Sequence, residues 1–212
     1  MTRVLAIALT ALALTAMAEA GPSRADALAA LTAPDVEARR AGATALVESG
    51  IMADAPALVR ALRDADAQVR RVAEAALWAV WSRSGDDAID YIFEIGVAQM
   101  REGQVQASVE TFSEIIRRRP DFAEGWNKRA TAYYLLGEWR RSAADCDEVL
   151  RRNPQHFGAL SGYGMIWLQL HQPTRALARF QEALAVNPNL DSVQETIDAL
   201  RALLLKQRRD AI

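Results

Sequence analysis

Three prolines, Pro120, Pro154 and Pro188, stand 34 residues apart. Gly103, Gly137 and His171 keep that interval, as do Phe112, Cys146 and Phe180, and Gln99, Tyr133 and Trp167. Small residues hold the same register at Gly96, Ala130 and Gly164, and again at Ser108, Ser142 and Ala176. A period of this length means one supersecondary unit copied in tandem, and it rules out most folds built around a single central core. Each unit reads as two helices joined by a short turn near the Gly, with small residues where the helices approach and larger apolar ones between units. Proline closes the second helix, because it has no N–H to donate and biases the residue before it away from helix. The third unit departs at its turn, where His171 replaces Gly and Pro173 follows two residues later.

The middle unit, "AEGWNKRATAYYLLGEWRRSAADCDEVLRRNP", resembles the tetratricopeptide repeat. Trp126, Ala130, Tyr133, Gly137, Ser142 and Pro154 fall on that family's signature positions, and the resemblance covers residues 89–188 as three consecutive units. It implies an all-α, right-handed solenoid of antiparallel helix pairs whose first helices line a concave face. It also places Arg129 where a subset of the family carries Asn-x-Arg together with an Asp in the second helix. An Arg129–Asp145 pair inside the unit is therefore expected, since a partly buried guanidinium requires an acceptor.

A second periodicity lies upstream. "LTAPDVEARRAGATAL" (31–46) matches "LRDADAQVRRVAEAAL" (62–77) at an offset of 31, pairing Asp35 with Asp66 and Arg39 with Arg70. This stretch is similar to two short HEAT repeats, which implies Asp35 and Asp66 as helix caps and Arg39 and Arg70 as a ladder between repeats. Capping by Asp follows from its carboxylate accepting the unpaired N–H groups of a first helical turn. "SRSGDD" (82–87) forms the joint: Gly85 breaks the helix and Asp86 or Asp87 caps the next one. Trp78 and Trp81, one turn apart, are expected to pack on the first tetratricopeptide helix and fuse the two arrays. After Pro188, Val193, Ile197, Leu200 and Leu204 recur with helical spacing, which predicts a capping helix over 189–212.

The N-terminus reads as a signal peptide over residues 1–20. Arg3 precedes an uncharged, mostly apolar run from Val4 to Ala16, and Ala16-Met17-Ala18 or Ala18-Glu19-Ala20 fits the cleavage pattern. The bland alternative is an uncleaved N-terminal helix. The apolar run is shorter than the roughly 20 residues that span a bilayer. Expected localisation is therefore periplasmic or secreted, with residues 21–84 HEAT-like and 85–188 tetratricopeptide units.

Charge and motif content narrow the function further. The 25 basic and 27 acidic side chains give a formal net charge of −2, which argues against a nucleic-acid partner and gives no support for an anionic membrane surface. His156 and His171 have no cysteine or carboxylate cluster at metal-ligand spacing. No phosphate-binding Gly loop is present. The single cysteine, Cys146, sits at a core position and reads as a small apolar residue. The expectation is a non-enzymatic chain with no cofactor and no metal. The basic runs Arg117–Arg119 and Arg151–Arg152 suggest an anion site, but they recur at equivalent ends of second helices, where complementing the helix dipole is the better explanation.

Binding is then assigned to the concave face. The candidate groove residues are Phe93, Met100, Asn127, Lys128, Thr131, Tyr134, Ser161, Met165 and Gln169. Phe93, Met100, Tyr134, Met165 and Leu168 offer adaptable apolar contact. Asn127 offers an amide to a peptide backbone. Gly158 and Gly162 clear space on one helix face. The Lys/Asn/Arg clamp by which some relatives hold a peptide's terminal carboxylates is missing, because its slots hold Phe93, Val97, Lys128, Gly158 and Gly162. The reading is an adaptor or assembly factor that binds a protein or peptide segment. The alternative is a structural solenoid that self-associates, for instance through Leu203–Leu205.

Overall fold

The computed structural model describes residues 22–210, so the expected signal peptide lies outside the described residues. The chain is all helical across them. Two helix pairs come first: α1 (Arg24–Ala30) with α2 (Val36–Ser49), and, after a 3-10 turn at Met52–Asp54, α3 (Ala55–Ala61) with α4 (Ala67–Trp81). Three more pairs follow: α5 (Asp87–Arg101) with α6 (Val105–Arg118), α7 (Ala123–Leu135) with α8 (Trp139–Arg152), and α9 (Phe157–Gln169) with α10 (Pro173–Val186). The last helix, α11 (Asp191–Asp210), shields the final pair by packing Val193, Ile197 and Leu200 against Ala176 and Phe180.

Side-chain caps start the helices where the sequence places them. Asp35 accepts the Ala38 N–H at 2.9 Å, Asp66 accepts Val69 N–H at 2.9 Å, and Asp86 caps α5 through the N–H groups of Ala88 and Ile89. Arg39 grips Asp64 of the next pair with two hydrogen bonds, at 2.7 and 3.1 Å, while Arg70 donates to the Asp64 and Ala65 carbonyls.

The 34-residue period is visible in the backbone. Gly103, Gly137 and His171 all have positive φ, at 78°, 76° and 55°. The following residue in each case returns its N–H to the carbonyl five positions back: Gln104 to Gln99 at 2.8 Å, Glu138 to Tyr133 at 2.9 Å and Gln172 to Trp167 at 2.8 Å. The third turn is therefore the same turn, and His171 adopts a left-handed conformation that a Cβ disfavours by roughly 1 kcal/mol. His171→Gly is expected to raise stability by about 1 kcal/mol, read as a higher urea midpoint at unchanged m-value.

One packing expectation is overturned. Trp78 and Trp81 do not rest on α5. Trp81 stacks on His156 with ring centroids 4.3 Å apart, and Trp78 meets Phe157 edge-on at 5.3 Å, so both pack at the start of α9 in the third unit. The joint explains it. Gly85, at φ 77°, turns the chain back, and Arg119 clasps it by donating to the Ser84 carbonyl at 3.1 Å. The first four helices then lie along the edge where second helices turn into first helices. Asn187 donates to Glu74 at 3.1 Å, Asn189 to the Leu62 carbonyl at 2.8 Å, and Arg63 to the Val186 carbonyl at 3.0 Å. The Leu58, Leu62, Leu77 and Trp81 core thus incorporates Phe157 and continues onto the repeats.

Candidate functional site

The first helices of the second and third units, α7 and α9, flank a cleft of about 160 Å³. Asn127, Thr131 and Tyr134 line it from α7, Gly158, Gly162 and Met165 from α9, and Ser142 and Cys146 from α8 behind them. The cleft has a cause in the repeat pattern. Unit one sets Gly96 against Phe112, so closely that a Cβ on the glycine would sit 2.7 Å from the ring, and unit three sets Gly164 against Phe180 in the same way. Unit two pairs Ala130 with Cys146 instead. One methyl is gained and a phenyl ring is lost, and the missing volume opens between α7 and α9.

Cys146 itself is 2% exposed, and burial together with the Asp145 and Asp147 charges pushes its thiol up to about 12. It is a wall of the cleft and not a nucleophile, as activation requires a thiolate. Gly162 has open space in front of it, with nothing within 4 Å of an added Cβ. Met165 is 40% exposed at the rim.

Beside the cleft lies a buried polar node that the sequence did not announce. Glu124 and His156 are both fully buried, with His156 Nε2 2.8 Å from a Glu124 carboxylate oxygen. His156 Nδ1 accepts the Ala159 N–H at 3.0 Å and so caps α9, which leaves Nε2 to carry the ring proton and donate it to Glu124. Asn127 Nδ2 donates to both carboxylate oxygens at 3.1 Å, and Lys128 Nζ stands 3.2 Å away. Burial raises the carboxyl's pKa, but the interactions with His156, Lys128 and Asn127 together outweigh it and hold Glu124 below its usual range. Glu124 therefore stays ionised and ties α7 to the start of α9.

The nine expected groove residues separate accordingly. Asn127, Thr131, Tyr134 and Met165 line the cleft together, and Gln169 joins its rim by donating to the Tyr134 hydroxyl at 3.3 Å. Phe93 is a correction: at 2% exposure it is core, packed on Phe112 and Phe122, and presents nothing to a partner. Met100 packs half-buried on the same cluster. Asn127 is only 9% exposed and its amide nitrogen is committed to Glu124, while Lys128 is paired with the same carboxylate. Ser161 is half-buried and donates to the Phe157 carbonyl. Gly158 does clear space, but the molecule fills it: the Trp78 indole occupies the notch, and a Cβ there would overlap the ring. The expected Arg129–Asp145 pair is present, bidentate at 2.8 Å on both arms, with Arg129 also reaching Ser113 at 3.0 Å. Among the described residues, no group of three His, Cys, Asp or Glu side chains is placed to hold a metal, and no helix is long and apolar enough to cross a membrane.

Comparison with known proteins agrees with this geometry. The profile of the tetratricopeptide repeat matches residues 93–157 and 127–191. A tetratricopeptide repeat-containing protein of Rhizobium etli is 31% identical over 128 residues, covering 60% of this chain and 63% of that protein. The chain thus spans less than two thirds of that relative's length. Among solved structures, the Sgt2 tetratricopeptide domain of Aspergillus fumigatus superposes with a TM-score of 0.56 at 16% identity, covering 60% of this chain and 85% of that domain. The first such domain of Spaghetti (RPAP3), bound to an HSP90 peptide, gives 0.54 at 18% identity, covering 55% and 93%. The period, the left-handed turns and these likenesses together identify residues 93–191 as tetratricopeptide repeats.

Proposed function

We propose that this chain is a non-catalytic, exported adaptor or assembly factor that holds a segment of a partner protein against the cleft between α7 and α9. The cleft carries the proposal. Its walls are mainly apolar, Gly162 leaves its mouth open, and the neighbouring polar side chains are already hydrogen-bonded within the protein. A dry apolar cavity of about 150 Å³ accepts a benzene ring, so a space of about 160 Å³ suits one large apolar side chain as an anchor. The Spaghetti domain is bound to an HSP90 peptide. Here the slots of a terminal-carboxylate clamp hold Phe93, Val97, Lys128, Gly158 and Gly162, so an acidic tail finds one cation, itself paired with Glu124. Specificity is assigned instead to the apolar anchor, with Tyr134 and Gln169 at the rim. Residues 1–20 are read as the export signal and α1–α4 as two HEAT-like units.

The test is a peptide selected from a random library on the wild-type chain. Gly162→Leu places a side chain in the open mouth, where the added Cβ meets no neighbour, and improves helix propensity by a few tenths of a kcal/mol to about 1 kcal/mol. Stability is expected to hold or rise while peptide affinity falls at least tenfold. Unchanged affinity would remove the cleft from the binding site.

Self-association remains the second reading, favoured by Leu203 and Leu205, which are 44% and 62% exposed near the end of α11. Light scattering separates the two: a stable dimer in which the selected peptide no longer binds favours the structural role.

A further inference from the structure

A second cavity, of about 310 Å³, lies where the end of α4 and the joint after it meet the turns preceding α7 and α9. Two of its lining side chains are almost fully buried and each carries a donor without a protein acceptor: Trp81 Nε1, in a residue 4% exposed, and Asn153 Nδ2, in a residue 5% exposed. An indole N–H can only donate. The Asn153 amide is oriented by its other end, since Oδ1 accepts the Gln155 N–H at 3.2 Å. Buried donors of this kind are rare and call for an acceptor.

The repeat itself indicates which acceptor fits. Asn187 stands 34 residues after Asn153 at the same turn, and its Oδ1 accepts the Asn189 N–H in the same way. Its Nδ2 donates to the Glu74 carboxylate at 3.1 Å. One unit earlier no carboxylate meets Asn153 Nδ2, and Asn153 lines the cavity instead. The surrounding charge is suitable. Arg83, Arg119 and Arg152 line the cavity against one acid, Asp121. Arg83 donates to the carbonyls of Gly50 and Val47, which leaves its charge uncompensated by those partners. Arg119 stands 3.3 Å from Asp121, and Arg152 pairs with Glu148. Arg119, the Asp121 backbone N–H and the Arg152 charge hold the Asp121 carboxyl below its ordinary range, as expected in a positive field.

We propose that this cavity is an oxyanion site, in which a carboxylate or phosphate oxygen accepts from Trp81 Nε1 and Asn153 Nδ2 under the charge of the three arginines. It is separate from the peptide cleft, and an occupant would pin the joint to two inter-unit turns at once. The ligand chemistry is that of charge-assisted hydrogen bonding.

The experiment follows the Trp81 indole N–H by NMR in the ¹⁵N-labelled full chain, assigned by its absence in Trp81→Phe. Inorganic phosphate and acetate are titrated separately at constant ionic strength against chloride. A saturable downfield shift is expected with at least one of them, and which one responds names the source of the oxyanion. Asn153→Asp keeps the acceptor for Gln155 but replaces the donor with a negative charge, and is expected to weaken binding at least tenfold. Arg83→Gln, at an exposed position, provides a second variant if Asn153→Asp fails to fold, and is expected to weaken binding several-fold. No saturable shift with either anion beyond the chloride control would overturn the assignment. So would equal affinity in the folded variants.

Discussion

Glu124→Ala is expected to destabilise the folded chain by about 3–5 kcal/mol, because it removes the acceptor from a fully buried polar node. His156 Nε2, Asn127 Nδ2 and Lys128 Nζ all converge on that carboxylate, at 2.8, 3.1 and 3.2 Å. Truncation leaves the imidazole and the amide buried without their partner, and the cost of an unmade bond exceeds the net value of a made one. Against a typical net stability of about 5–15 kcal/mol, the loss would be plain in a urea unfolding curve. A cost below about 1 kcal/mol would show that water replaces the carboxylate freely and that the node is not sealed.

The same carboxylate gives a signed pH dependence. Its pKa in the folded chain lies below the ordinary value of 4.5. Its contribution is therefore complete above about pH 4.5 and is lost as the pH falls through the lower folded value. Glu124→Gln keeps one acceptor oxygen and removes the titration, so its stability should fall less steeply than wild type below about pH 4.5.

The fold was legible wherever a residue's role repeats. Gly103, Gly137 and His171 share one left-handed turn, and the period placed all three before any backbone angle was known. The Arg129–Asp145 pair was legible through the resemblance, which matches Asn-x-Arg on the first helix with an Asp on the second, and a partly buried guanidinium needs such an acid. Phe93 was misplaced because position along a helix gives direction but not depth. The rings of Phe112 and Phe122 lie close enough to draw it inward. The cleft was half legible. Its rim residues were expected, whereas its origin is a difference in side-chain volume, Cys146 at the Phe112 and Phe180 position, which the period records without showing where the lost volume opens. The Glu124–His156 contact joins residues 32 apart across two turns, and no spacing rule marks it. The course of α4 was not legible either. Only Gly158, standing where the other units have Asp90 and Glu124, hinted that an indole needed room there.

That course leads to the second large effect. Trp81→Ala is expected to cost about 3–5 kcal/mol, the usual range for deleting a buried large aromatic side chain. Trp81 is 4% exposed, stacked on His156 at 4.3 Å and tilted on Phe157 at 5.0 Å, with Trp78 edge-on at 5.5 Å. These contacts belong to the seam between α4 and the start of α9. The repeat cores around Phe112 and Phe180 are built from other residues. The loss should therefore fall on the docking of the first four helices, and only weakly on the repeats. Hydrogen exchange distinguishes the two: amides of α4 and of the first turn of α9 should lose protection together, while those of α10 and the apolar turns of α11 keep theirs. A uniform loss along the chain would mean that the two parts unfold as one unit and that α4 is not a separable layer. A selective loss would also expose the Gly158 notch that Trp78 now fills, which lengthens the concave face beyond the α7–α9 cleft. In the intact chain, Trp78 of the docked helix fills the space in front of Gly158, a residue of the cleft wall.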